Sequence, residues 1–338
     1  MKLAFRINNR RYIGNKFRLL DFIDECVRKE NIRFNTLADI FAGTGVVAEC
    51  YLKKGKQVIA NDLLYSNFVI YKALLTNDKF DGDKIKKYIN KFNTAEIKKD
   101  NYFSDNFSGT YYHEVDARRI GYVREEIEQE KNRGELIERE YYILIASLLY
   151  AMDKIANTVG HYESFLKKCP IQRGLQLQEF EIEHYKHSAQ IYNEDANKLV
   201  RQLSVDMVYI DPPYNARQYA NFYHLLENVA RWKKPPVFNK ARKMERSEIM
   251  SEYSRRGAKE VFSDLIKNVN AKTIVVSYNN TYDAHQSSIN MITFEDMVEI
   301  LERKGKTTIY EKDYKYFETG KTGIKKNTER VFICRAEA

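Results

Sequence analysis

Apolar runs and polar breaks alternate along this 338-residue chain in a pattern that predicts its elements. Leu37-Ala38-Asp39-Ile40-Phe41 and Val58-Ile59-Ala60 are short apolar runs of the kind that form buried parallel strands. Between them, residues 45–54 put Val46, Val47, Cys50 and Tyr51 on one helical face, and a second helix is expected over about 65–75. That is the opening of a doubly wound α/β sheet. From about 77 to 186 the pattern changes: charge is dense, as in Arg124-Glu125-Glu126-Ile127-Glu128, and clear strands disappear. An apolar helix over about 141–155 anchors this stretch, and with its many aromatics predicts a mostly helical insert rather than disorder. The sheet resumes at 207–210. A helix over about 219–232 stops before Pro235-Pro236 because the residue preceding proline disfavours helix. A helix over about 258–268, a strand over 273–278 and a helix over about 294–304 continue the alternation. The last two strands, 307–313 and 330–335, have no helical pattern between them, only a turn around Gly320-Lys321-Thr322-Gly323, and should pair as an antiparallel hairpin. The expected organisation is one α/β domain from residues 1–76 and 190–338, interrupted by a helical insert over 77–189.

Composition narrows the partners. A formal charge of +9 and a pI near 9.0 favour a polyanion through long-range attraction and counterion release, although plain solubility would use the same charge. The chain also carries 25 tyrosines, whose flat amphipathic rings can stack on bases. Cys26, Cys50, Cys169 and Cys334 show no paired spacing, which argues against disulfides and against a zinc cluster and points to a reducing compartment. His184-x-x-His187 could share a helical face, but no third ligand stands nearby, so no metal is expected. The amino terminus has no apolar core of a signal peptide and no apolar run approaches about 18 residues, so a cytoplasmic protein without membrane contact is expected.

The most informative residues are Asp211-Pro212-Pro213-Tyr214, directly after the apolar run Met207-Val208-Tyr209-Ile210. A strand ending in this way brings an acceptor carboxylate, a stiffened backbone and an aromatic ring to the rim of a sheet, the groups needed to grip the exocyclic amine of a flat base. Asp and Pro are also common turn residues after a strand. Chance occurrence in a chain of this size is on the order of one in a thousand from average usage. Earlier in the chain, Phe41-Ala42-Gly43-Thr44-Gly45 lies at a strand-to-helix junction, where glycines let a ligand approach the backbone. The spacing Gly43-x-Gly45-x-x-Ala48 equally fits a relaxed dinucleotide fingerprint, so a nicotinamide dehydrogenase competes at this point. Asp62, ending the second strand, suits the ribose of any nucleoside cofactor. Gly320-Lys321-Thr322 is not a phosphate-binding loop, because the glycine required five positions earlier is Lys315.

Taken in order, these motifs resemble the adenine-specific DNA methyltransferases of the class (D12) that includes the DNA adenine methylase and the modification enzymes of type II restriction systems. The resemblance is carried by Arg11-Tyr12-Ile13-Gly14-Asn15-Lys16, then the glycine loop from Asp39, Asn61-Asp62, Glu194-Asp195-Ala196 and Asp-Pro-Pro-Tyr. It extends through Arg217-Gln218-Tyr219, Tyr223-His224-Leu225-Leu226-Glu227, Ser277-Tyr278-Asn279-Asn280 and Tyr314-Lys315-Tyr316-Phe317, and is weakest in the helical insert. It implies a Rossmann-like methyltransferase sheet that binds S-adenosylmethionine. Tyr12 and Lys16 would flank the methionine moiety, Asp39, Phe41, Gly43 and Gly45 would line the floor, Asp62 would take the ribose and Asp195 the adenine. Asp211, Pro212, Pro213 and Tyr214 would be catalytic, acting on an adenine flipped out of double-stranded DNA. Arg217 and the basic stretch carrying Lys240, Arg242, Lys243, Arg246 and Arg255 would follow phosphates. The insert would read the target sequence, and a cognate restriction endonuclease acting on the same site is the further partner the resemblance allows. Transfer to cytosine N4 and a DNA-binding protein with a decayed site are the competing expectations.

Overall fold

Residues 4–213, 216–279, 292–314 and 327–337 are described by the structure, a computed structural model of the chain. Seven strands form one sheet: β1 (Thr36–Asp39), β2 (Gln57–Asn61), β3 (Gln190–Tyr192), β4 (Val205–Ile210), β5 (Ala271–Asn279), β6 (Gly305–Tyr314) and β7 (Asn327–Ala336). Their order is β3-β2-β1-β4-β5-β7-β6, parallel from β3 to β5 and antiparallel where β7 joins β5 and β6. The expected doubly wound sheet and terminal hairpin are both present.

Strand side chains alternate between two apolar layers, as the period of two requires. Leu37, Met207, Tyr209, Val275 and Ile333 face one layer, while Ala38, Val208, Ile210, Ile274, Val276 and Phe332 face the other. Burial on both faces explains why these strands read as near-continuous apolar runs. The first layer is built by α1 (Leu20–Lys29), α2 (Val46–Lys53), α3 (Tyr65–Leu74), α9 (Tyr219–Phe222) and α10 (His224–Arg231). The second is built by α8 (Ala196–Val200), α11 (Ala258–Asn268) and α12 (Phe294–Glu302).

Residues 77–189 supply α4 (Gly82–Thr94), α5 (Tyr102–Phe107), α6 (Glu114–Asn132) and α7 (Glu138–Ile155), then run without regular structure to β3. Almost every residue of α7 is buried, and its apolar side chains join the first layer's core. Arg124, fully buried on α6, donates to the carbonyls of Val229 (2.7 Å) and Ala230 (3.3 Å) and so caps the end of α10.

Two local expectations are corrected, and one strand leaves no sequence signal. The single helix over 219–232 is two, broken at Tyr223 (φ −120°, ψ 15°), whose hydroxyl accepts from Ile13 N at 2.8 Å and whose ring stacks on Tyr12 at 4.7 Å. His184 and His187 lie on irregular chain, not on a helix. The edge strand β3 carries too few apolar residues to announce itself. Among the described residues no helix is long and apolar enough to cross a membrane. Tyr214, Asn280, Lys315-Tyr316-Phe317 and the turn at Gly320–Gly323 fall outside the described residues.

Candidate active site

In this sheet the chain leaves β1 toward β2 on one side and β4 on the other, so a crevice opens beyond the carboxyl ends of β1 and β4. Asp39 ends β1 and pairs in register with Tyr209, which places Asp211 just past the end of the neighbouring strand. Both acids line one cleft enclosing about 870 Å³ of non-atom space, part of it open to solvent.

The glycine bend follows from backbone conformation. Gly43 (φ +54°) and Gly45 (φ +79°) occupy the left-handed region, where a side chain costs energy. A Cβ on Gly43 would lie 3.1 Å from the Tyr12 ring, and one on Gly45 would lie 2.9 Å from the Tyr71 ring. The bend is held by Asp62, at the end of β2, whose Oδ2 accepts from Gly43 N at 2.9 Å while Oδ1 accepts from Leu64 N at 2.8 Å. Burial pushes the Asp62 carboxyl up to about 6, against the opposing pull of the Leu64 amide, Asn67 and the Gly43 amide. Glu227 of α10, fully buried, accepts from Tyr65 N (3.1 Å) and Ser66 N (2.6 Å) at the start of α3, next in chain to Asp62. Asn61 clamps the far wall: its amide donates to Glu194 O at 3.0 Å and its Oδ1 accepts from Glu194 N at 3.0 Å.

Of the residues expected to hold the cofactor, Tyr12, Lys16, Asp39, Phe41, Gly43, Asp62 and Asp195 line this one cleft. Gly45 sits one step behind it, as the residue that starts α2. Asp195 also caps α8 by accepting from Lys198 N at 3.1 Å. Asp39 is 1% exposed and neither carboxylate oxygen has a well-formed hydrogen bond; burial, then the charge of Asp211, push it well above the usual carboxylate range. The nearby Ala48 amide offsets this only in part.

Asp211 and Pro213 also line the cleft, and Pro212 is buried beside them. Asp211 Oδ2 lies 3.0 Å from Lys16 Nζ, whereas Oδ1 makes no hydrogen bond among the described residues. Burial pushes the Asp211 carboxyl up to about 6; Lys16 pulls it down and Glu329 pushes it further up. Lys16 is 5% exposed, so the ammonium expected at the cofactor's carboxylate stands between protein carboxylates here.

Two aromatic residues of the cleft carry no sequence signal of their place there. Tyr219 lies 5.5 Å from Tyr12, ring to ring, and Tyr253 meets Phe41 edge-on at 5.0 Å. Tyr253 belongs to the basic stretch, whose charges masked it. Gln218 ties that stretch to the rim: its side chain donates to Ser251 O at 2.7 Å and accepts from Ser251 N at 2.8 Å. Upstream, Phe238 and Lys243 pair across a turn that exposes Lys240 and Arg242, and Tyr111 OH donates to Ala241 O at 3.0 Å, fastening the turn to the helical segment. Lys243 is half-buried, Arg246 donates to Asn221 Oδ1 at 2.7 Å, Arg255 pairs with Glu252 at 2.5 Å, and Arg217 is exposed at the rim. No cluster of three His, Cys, Asp or Glu side chains fit to hold a metal occurs among the described residues.

A doubly wound sheet with a carboxylate at its switch point and an acidic, glycine-floored cleft defines an α/β protein with a candidate site at that switch point. The chain belongs to the D12 class N6 adenine-specific DNA methyltransferase family, whose model it matches over residues 12–300. It is 36% identical to modification methylase StsI of Streptococcus sanguinis over 86% of this chain and 46% of that protein. Modification methylase LlaI of Lactococcus lactis subsp. lactis is 33% identical over 96% and 54% of the two chains, and the type II methyltransferase M.NlaIII of Neisseria lactamica is 32% identical over 92% and 93%. The chain thus spans about half the length of StsI and LlaI and nearly all of M.NlaIII.

Proposed function

We propose that this chain is a site-specific DNA methyltransferase that moves a methyl group from S-adenosylmethionine to N6 of an adenine flipped out of double-stranded DNA. The observation that carries the reading is the Asp211 carboxylate, which lines the same cleft as the glycine bend just past the end of β4. The cleft fits the cofactor. Asp62 suits ribose hydroxyls, Asp195 the adenine amine, Phe41 and Tyr253 an apolar base, and the unpartnered Asp39 a cationic group. When bound, S-adenosylmethionine supplies an electrophilic methyl on a sulfonium.

The protein's own part is to make a poor nucleophile better. The N6 lone pair of adenine is delocalised into the ring. An N–H held by the Asp211 carboxylate and another by the Pro212 carbonyl would let the nitrogen pyramidalise and aim its lone pair. No proton has to leave before attack, so Asp211 acts first as a positioning acceptor. The amine is inaccessible within a duplex, and extruding the base costs a few kcal/mol. Stacking at about 1–3 kcal/mol per base offsets much of this, and Tyr214 is the ring we assign to it. Incubation with labelled S-adenosylmethionine and duplex DNA, followed by digestion to nucleosides, should place the label in N6-methyladenine. Label in N4-methylcytosine, or none at all, would sink the assignment.

We further assign residues 77–189 to target recognition and Arg217, Lys240, Arg242, Lys243, Arg246 and Arg255 to the DNA backbone. Lys240 and Arg242 point into solvent from a turn joined to the cleft rim, which supports that role. Replacing Lys240, Arg242 and Lys243 with alanine should flatten the plot of log affinity against log salt by about 2–3, at roughly 0.9 per phosphate contact. An unchanged slope would return the turn to ordinary surface. By likeness to the modification methylases, a restriction endonuclease cutting the same sequence is the protein partner we propose, and DNA methylated by this chain should resist it.

A further inference from the structure

Glu329 is a buried carboxylate with no part in the scheme above. It lies in β7, is 2% exposed, and sits directly opposite Asn279 of β5 in the sheet register. Asn279 Nδ2 donates to its Oε2 at 2.9 Å, which fixes the plane of the carboxylate. Its other oxygen, Oε1, lies 3.3 Å from Lys16 Nζ, in ion-pair range but outside hydrogen-bond alignment. Lys16 therefore bridges two carboxylates, at 3.0 Å to Asp211 Oδ2 and 3.3 Å to Glu329 Oε1. Burying a carboxylate costs several kcal/mol unless its geometry is satisfied, and one partner here is a nearby ammonium already engaged by Asp211.

An ammonium beside a single carboxylate can sit on either oxygen or between them. Here a second carboxylate also holds the ammonium, which sits against Oδ2 while the buried Oδ1 makes no hydrogen bond. We propose that Glu329 is a positioning residue for methyl transfer, anchoring the Lys16 ammonium against Oδ2 and so fixing the orientation of the Asp211 carboxylate that is to accept an N–H of the target amine. The two carboxylates and one ammonium also leave a net negative charge where an N–H dipole has to be attracted. This inference rests on the methyl-transfer reading. Among the described residues, the other ionisable groups facing Asp211 are Asp39 at the end of β1 and the Tyr209 phenol of β4, whose hydroxyl is engaged with Ser277 at 2.7 Å.

Glu329→Gln removes the charge and keeps an acceptor for Asn279. It should lower kcat about tenfold or more while S-adenosylmethionine affinity, measured by titration calorimetry, stays within about twofold. In the cofactor-free protein the Asp211 carboxyl, followed by carbon-detected NMR, should titrate about one pH unit lower, since a like charge has gone. The acid limb of kcat should move with it. Glu329→Asp should return both toward the wild type. Asn279→Ala, which frees the carboxylate without removing it, should reduce kcat and leave the Asp211 titration near its place. Should Glu329→Gln not fold, the last two variants carry the test. Wild-type kcat and an unmoved Asp211 titration in a folded Glu329→Gln would overturn the proposal, as would loss of thermal stability alone. If the wild-type protein itself methylates no DNA, the reading beneath it fails, a result the Asp211 titration cannot produce.

Discussion

Asp211→Ala reduces methyl transfer by about 10³-fold or more and changes S-adenosylmethionine affinity by less than about threefold. The size follows from the proposed role of the carboxylate, which is to align the amine and stabilise the positive charge that grows on nitrogen; losing a single charge-stabilising group commonly costs roughly 10²–10³ before positioning is counted. The selectivity follows from the cleft. The glycine bend hangs from Asp62 and the far wall from Asn61, so neither needs Asp211. Nor should the fold collapse, because Lys16 keeps Glu329 as a counter-ion when Asp211 is gone. Single-turnover transfer and a cofactor titration on the same preparation check the prediction. Equal loss of transfer and cofactor binding would show that Asp211 is a structural member of the pocket instead.

The sheet was legible because its central strands are buried on both faces and leave uninterrupted apolar runs. Residues 207–210 and 273–278 were placed almost to the residue, against an observed Val205–Ile210 and Ala271–Asn279. The terminal hairpin was legible because nothing helical separates its strands. β3 was not, since three partly exposed residues at a sheet edge leave no periodic trace. The broken helix at Tyr223 was hidden for a different reason: the break serves contacts with Ile13 and Tyr12, some 210 residues away in sequence, and a local window cannot see them. Within the cleft, motif residues with a chemical signature were readable, namely Asp211, Asp62 and Gly43. Glu329 was not. A charged residue just ahead of the strand expected over 330–335 has no sequence signal of burial, and only the longer β7 and its pairing with β5 turn it inward beside Lys16. Lys16 was readable as a site residue but not by its partner, because both carboxylates reach it from strands far along the chain.

Asp62→Ala should weaken S-adenosylmethionine binding about 100-fold while kcat at saturating cofactor falls less than about tenfold. Asp62 has two tasks. Its oxygens each accept a backbone N–H, from Gly43 and Leu64, and so tie the glycine bend to the turn that begins α3. Leaving such buried donors unsatisfied costs about 1–3 kcal/mol each. A share of that loss is felt as disorder in the cofactor floor, and the proposed ribose contact is lost as well; together they amount to roughly the 2.7 kcal/mol that a 100-fold change requires. Asp211, the proposed acceptor for the amine, lies just past β4 and is untouched, which is why kcat should be spared. The charge state offers an independent check. A carboxyl pushed up to about 6 becomes protonated as pH falls through that value, so wild-type affinity should weaken below about pH 6. In Asp62→Ala that component of the pH dependence should vanish, leaving only what Asp39 and Asp211 contribute. Calorimetric titrations from pH 5 to pH 8 on both proteins read this directly. Parallel pH curves for the two would mean that the ribose is held elsewhere and that Asp62 serves only the bend.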